Sequence, residues 1–137
     1  MNWIQNISFV DIPTSLSCIT YRGKVLINCA SVGVPTNGQT ATQFVTIEFV
    51  DGKWNNKLIS VPYDIDKIIA DFEESGLNDR ACMWAAAMIK LLRTGRNYPL
   101  ECLNLAIQKA HRADPGIDAS DIPEEFWEAA AKELEMI

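Results

Sequence analysis

The 137-residue chain is poor in the residue types that most chemistry requires. Its one histidine is His111, and none of its four cysteines forms a C-x-x-C pair. A structural zinc site would therefore have no close-spaced ligands to anchor it, and no metal or cofactor is expected. The glycines are scattered, with no G-x-x-x-x-G-K-[ST] or G-x-G-x-x-G run, so a phosphate-cradling loop is excluded. Long apolar runs are missing as well. The longest, Ala81 to Ile89, has nine residues, far short of the roughly 18 that span a bilayer. Met1 to Asn6 holds no basic stretch followed by an apolar one, so no signal peptide is expected and the cytoplasm is the expected location. Internal repeats and low-complexity segments are also lacking.

What is present is an ordinary globular composition, with 48% hydrophobic residues, enough for a sizeable core. Cys18, Cys29, Cys82 and Cys102 all sit among apolar neighbours and read as buried, reduced thiols. The net charge of −6 is unevenly distributed. Residues 1–63 carry +1, residues 64–75 carry −4, residues 76–112 carry +4 and residues 113–137 carry −7. An acidic balance disfavours a nucleic-acid backbone, whose binding rests on lysine and arginine. It suits a protein partner with a basic surface, or a second copy whose +4 segment meets the −7 segment.

The pattern of residues changes near Pro62. Ahead of it, five β-type runs are expected at Trp3–Asp11, Ser15–Arg22, Lys24–Val34, Thr40–Val50 and Lys53–Val61. Asp51-Gly52 is the strongest turn signal, since a type I′ turn needs positive φ at both central residues. It would set Phe49 opposite Trp54 and Val45 opposite Leu58. A turn at Arg22-Gly23 would set Cys18 opposite Ile27 and Leu16 opposite Cys29. The same device at Asn37-Gly38 fails, because it pairs Ile27 with Glu48 and so joins a core face to a polar face. Either a bulge or a wider loop absorbs a residue between Val34 and Ala41, or the sheet bends into two layers there; the irregular residues from Gly33 to Gln39 favour the wider loop.

Beyond Pro62 four helices are expected. Asp64 caps the first, with Ile65, Ile68, Ile69 and Phe72 as its apolar stripe, and Gly76 stops it. Asn78 caps a second that runs to about Thr94, apolar nearly all round and therefore central and buried. Gly95 ends that helix, and Pro99–Arg112 forms the third. Asp121-x-x-Glu124 resembles a capping box for the last, whose stripe is Trp127, Ala130, Leu134 and Ile137. The expected fold is a single α+β domain over residues 1–137: a β-rich half (1–62) forming an antiparallel meander of about five strands, packed against a helical half (63–137) of about four helices.

Candidate sites follow from charge. Glu124, Glu125, Glu128 and Glu135 give the last helix an acidic surface able to engage a basic partner. Lys90, Arg93 and Arg96, with Tyr63 and Tyr98 as pocket residues, form an alternative site for a nucleotide or phosphorylated metabolite. Asp114, Asp118, Ser120 and Glu125 resemble a calcium loop only loosely, since Gly116 and Ala119 occupy positions that need an acid and a glycine. His111, at a basic helix end, has no nucleophile near it in sequence, and Cys102 beside Glu101 reads as core. A non-enzymatic binding protein of inhibitor, immunity or accessory type is the favoured class, with a small ligand-binding protein or small enzyme as the alternative.

Overall fold

A computed structural model describes residues 7–9, 17–22, 24–29 and 31–137. Parts of the first two expected strands, the Leu16–Cys29 pairing and the burial of Cys18 lie outside the described residues. The chain is mixed α+β, and its contacts divide it into two compact units, Met1–Tyr63 and Asp64–Ile137.

The first unit contains β1 (Ile7–Phe9), β2 (Ser17–Tyr21), β3 (Lys24–Asn28), β4 (Thr42–Val50) and β5 (Lys53–Val61). These strands do not form one antiparallel meander. They fall into a three-stranded sheet of order β1-β3-β2 and a separate β4-β5 hairpin. β2 and β3 pair as the turn at Arg22 demands, with Cys18 opposite Ile27 and φ of +48° at Arg22. β1 pairs parallel to β3, Ile7 opposite Val25, so β3 lies between its two neighbours. The register conflict at Asn37-Gly38 does not arise, because β3 and β4 belong to different sheets, and the described residues between 29 and 41 are in no strand, as the wider loop requires.

That long connection is held by its own polar side chains. Ser31 Oγ accepts from the Val34 amide at 2.8 Å, and the Ser31 carbonyl accepts from the Gln43 amide at 3.0 Å. Asn37 Nδ2 donates to Gln43 Oε1 at 2.9 Å, which satisfies an amide oxygen on a side chain only 2% exposed. Thr42 Oγ1 donates to the Val32 carbonyl. In the hairpin, Asp51 and Gly52 have φ of +50° and +78°, and Phe49 faces Trp54 and Val45 faces Leu58 as the turn chemistry requires. The Phe49 and Trp54 rings lie 4.8 Å apart at a tilt of 51°. Their face stays partly open, with Phe49, Trp54 and Leu58 all exposed.

The second unit contains α1 (Ile65–Glu74), α2 (Leu77–Arg80), α3 (Cys82–Thr94), α4 (Tyr98–Ala113) and α5 (Glu124–Glu133). Asp64 Oδ1 caps α1 by accepting from the Lys67 amide at 2.9 Å, and Gly76, with φ of +68°, ends it. The helix expected from Asn78 to Thr94 is instead two. Ala81 leaves helical geometry at φ −131° and ψ 35°, separating one turn, α2, from α3. Asn78 is inside that turn and caps nothing; its Oδ1 is buried with no hydrogen-bond partner among the described residues. Gly95 ends α3, and Asn97 Oδ1 accepts from the Leu100 amide at 3.2 Å to cap α4.

At α5 the expected capping box does not form. Pro123 precedes the helix and supplies no capping side chain, while Asp118 Oδ1 accepts from the Ser120 amide and hydroxyl. The helix ends in a Schellman motif: Met136 N–H donates to the Ala131 carbonyl at 2.8 Å and Glu135 N–H to the Lys132 carbonyl at 3.1 Å. Glu135 takes the left-handed position, at φ +53°, where glycine is usual. This sharp stop carries Met136 into the core and leaves Ile137, expected on the buried stripe, exposed.

Alanine dominates that core. Ala106, Ala110, Ala130 and Ala131 are fully buried, and Ala106, Ala130 and Ala131 pack in one cluster with Ala87, Cys102 and Met136. Small side chains let helices approach closely, so the interior between α4 and α5 has little spare volume. α3 is less enclosed than its composition implies: Ala85, Ala87, Leu91 and Leu92 are buried, but Cys82 and Trp84 are exposed.

Candidate functional site

The basic cluster is already engaged inside the second unit. Arg93 pairs with Asp66 at 3.2 Å. Arg96 grips the Glu101 carboxylate, with Nε 2.8 and 3.0 Å from its two oxygens, and its guanidinium lies 4.8 Å from the centre of the Tyr98 ring. That pairing holds the Glu101 carboxyl below the usual carboxylate range and raises Arg96. Lys90 Nζ donates to the Glu135 carbonyl and sits 5.5 Å from the Tyr98 ring centre. The structure therefore brings Lys90, Arg96 and Tyr98 together, but as partners of one another and of acceptors on the same unit. Tyr63 belongs to the first unit, where its hydroxyl donates to the Gly33 carbonyl at 3.3 Å and burial pushes its pKa up.

Three further cations of this unit, Arg80, Lys109 and Lys132, follow the same trend, while Lys67 and Arg112 make no ion pair among the described residues. Lys109 pairs with Glu133 at 2.7 Å and Lys132 with Glu128 at 3.6 Å. Arg80 donates from its Nη2 to the Ser75 carbonyl at 2.8 Å and from Nε to the Gly76 carbonyl at 3.4 Å. Among the candidate acids, Glu128 thus has a cation, and Glu135 lies beyond the end of α5 with its carbonyl occupied by Lys90. Glu124 and Glu125, both exposed in the first turn of α5, make no ion pair among the described residues.

Glu124 also lines a cleft of about 340 Å³. The break at Ala81 shapes one side of it, where the end of α2 contributes Arg80 and the start of α3 contributes Cys82, Met83, Trp84 and Ala87. α4 contributes Pro99 and Cys102, and α5 contributes Glu124 and Trp127. Trp84, 50% exposed, lies near parallel to Phe72, with ring centres 6.3 Å apart and planes 19° from parallel. Glu124 and Trp127 are three residues apart and so share one side of their helix.

Sequence reasoning found Glu124 from its charge but took Trp84, Trp127 and both cleft cysteines as core. An apolar run gives no sign of which of its members the break at Ala81 turns outward. The exposure of Cys82, whose Sγ lies 3.2 Å from the Asp79 carbonyl, corrects the expectation that every thiol is buried. Cys102 is buried at 2% exposure, and burial pushes its thiol up, away from the thiolate a nucleophile needs. His111 serves the loop after α4, its Nε2 donating to the Ile117 carbonyl at 2.9 Å. Among the described residues no three metal-ligating side chains converge, and no helix is long and apolar enough to cross a membrane. No protein-family model, curated protein or solved structure matches the chain.

Proposed function

We propose that the chain is a non-enzymatic protein-binding module, of inhibitor, immunity or accessory type, that engages a basic macromolecular partner through the acidic face of α5. One observation carries this reading. The cations of the helical unit are largely engaged with acceptors on that unit, whereas Glu124 and Glu125 make no ion pair among the described residues and Glu124 borders an apolar cleft. Exposed carboxylates without an ion pair add only the modest favour of their place at the helix N-terminus, but they steer a positively charged partner and orient it. The same pairing favours a separate partner over a second copy, because docking on the 76–112 segment would break existing ion pairs. Free thiols at Cys29, Cys82 and Cys102 fit a reducing compartment such as the cytoplasm. The small-ligand reading built on Lys90, Arg93 and Arg96 lacks comparable support, since each of those cations already has an acceptor.

The test is affinity capture from the native host with the wild-type chain and with Glu124→Lys/Glu128→Lys, read by mass spectrometry. Glu124 lies in the first turn of α5 and Glu128 pairs with Lys132, so the double reversal should cost about 1–3 kcal/mol and leave the chain folded by circular dichroism, while capture of the partner is lost and is salt-sensitive in the wild type. Retention of the same partner by the double variant defeats the reading.

A further inference from the structure

The cleft is more elaborate than an acidic face alone requires. Two indoles line it, and Trp84 lies near parallel to Phe72. Its buried members Ala87 and Cys102 carry no charge. The one cation on its border, Arg80, donates to the backbone carbonyls of Ser75 and Gly76. Those neutral carbonyls leave the Arg80 charge in place at one border, while Glu124, with no ion pair among the described residues, is a carboxylate at another, one helical turn from an indole and at the edge of an apolar wall.

Resting on the reading above, we propose that this cleft seats one lysine or arginine side chain of the protein partner, its aliphatic stem against Trp84 and Trp127 and its charged end at Glu124. Indole faces attract cations more strongly than other aromatic rings do. A long basic side chain lays its methylenes along apolar surface while its head stays at the wet rim, which matches a cleft with apolar walls and an exposed carboxylate. The volume, about 340 Å³, is near the lower limit of small-ligand cavities and suits a side chain with its flanking residue, not a folded element. Arg80 disfavours a cation at its own border, so the charged end lies at the Glu124 border, where an anionic group would be repelled and an uncharged one would leave the carboxylate unpaired.

Hexalysine is the probe, with hexaglutamate as the control, and the readout is the indole N–H resonances of Trp84 and Trp127 by heteronuclear NMR. The expected result is a saturable shift of both resonances with hexalysine and none with hexaglutamate. Glu124→Gln and Trp84→Leu should each weaken binding by about three- to tenfold, whereas Glu128→Gln, on the same helix but outside the cleft, should change it by less than about twofold. Trp84 is half exposed, so its replacement should leave the far-ultraviolet circular dichroism unchanged. Indole resonances that stay fixed at saturating hexalysine, or a folded Trp84→Leu variant that binds as tightly as wild type, overturn the proposal. If Glu124→Lys/Glu128→Lys loses the native partner while Trp84→Leu keeps it with full affinity, the acidic face stands and the seat falls. If the double reversal keeps the partner, the acidic-face reading falls, and saturable indole shifts would still establish the cation seat.

Discussion

Ala106 and Ala87 are both buried alanines of the same core cluster, and replacing each with leucine separates packed interior from cleft wall. Three added carbons would each contribute about 0.8 kcal/mol if they found room, or about 2.4 kcal/mol in all. Ala106 has no such room. It is 0% exposed and surrounded by the fully buried Ala130 and Ala131, so leucine must displace α5 or adopt a strained rotamer. Overpacking of that kind costs about 1–3 kcal/mol. Ala87, at 2% exposed, borders a cleft of about 340 Å³. Three carbons at roughly the 30 Å³ share of a water molecule each fit inside it several times over. The Ala87→Leu variant should therefore lie within about 1 kcal/mol of wild type, on the stabilising side, which puts it about 1–4 kcal/mol above Ala106→Leu. Urea unfolding followed by far-ultraviolet circular dichroism measures the difference, with the denaturant slope unchanged if the two-state comparison holds. Equal destabilisation of both variants, or a larger loss at Ala87, would refute the assignment of the cleft as real space. Ala87→Leu should also weaken hexalysine binding, because the new side chain occupies the proposed seat.

Two further outcomes follow from local structure. Glu135→Gly should raise stability by about 0.5–1 kcal/mol, since a glycine at φ +53° relieves the left-handed strain that a glutamate bears; a lower melting temperature would refute this. Glu101 titrates below its usual range because of Arg96, so its stabilisation is fully present above the unfolded carboxylate pKa and is lost as pH falls through the lowered folded value. Glu101→Gln should thus flatten the acid side of the stability profile, by a small amount because the pair is largely exposed, and an unchanged acid slope in urea midpoints would count against the pairing.

Legibility in the sequence followed the range of the interactions involved. The β4–β5 register could be read from Asp51-Gly52, because the turn requirement and the facing residues lie within a few positions of each other. The parallel pairing of β1 with β3 could not, since a strand's edge accepts either direction and its neighbour is chosen by distant parts of the chain. Asp64, Gly76 and Gly95 announced helix ends through chemistry that few other roles explain. Ala81 and Glu135 did not, as alanine favours helix interiors and glutamate seldom takes positive φ.

The change from strands to helices near Pro62, the hairpin register and the excess of acid near the C-terminus are all legible in the sequence by itself, because each depends on residues close along the chain. Only the tertiary structure decided which charges remain available. Arg93 reaches Asp66 across 27 positions, and Lys90 reaches the Glu135 carbonyl across 45. Those pairings occupy the basic cluster that looked like a site, and they leave Glu124 unpaired beside two tryptophans that looked like core. Charge is written in the sequence, but whether a charge has a partner depends on distances that exist only after folding.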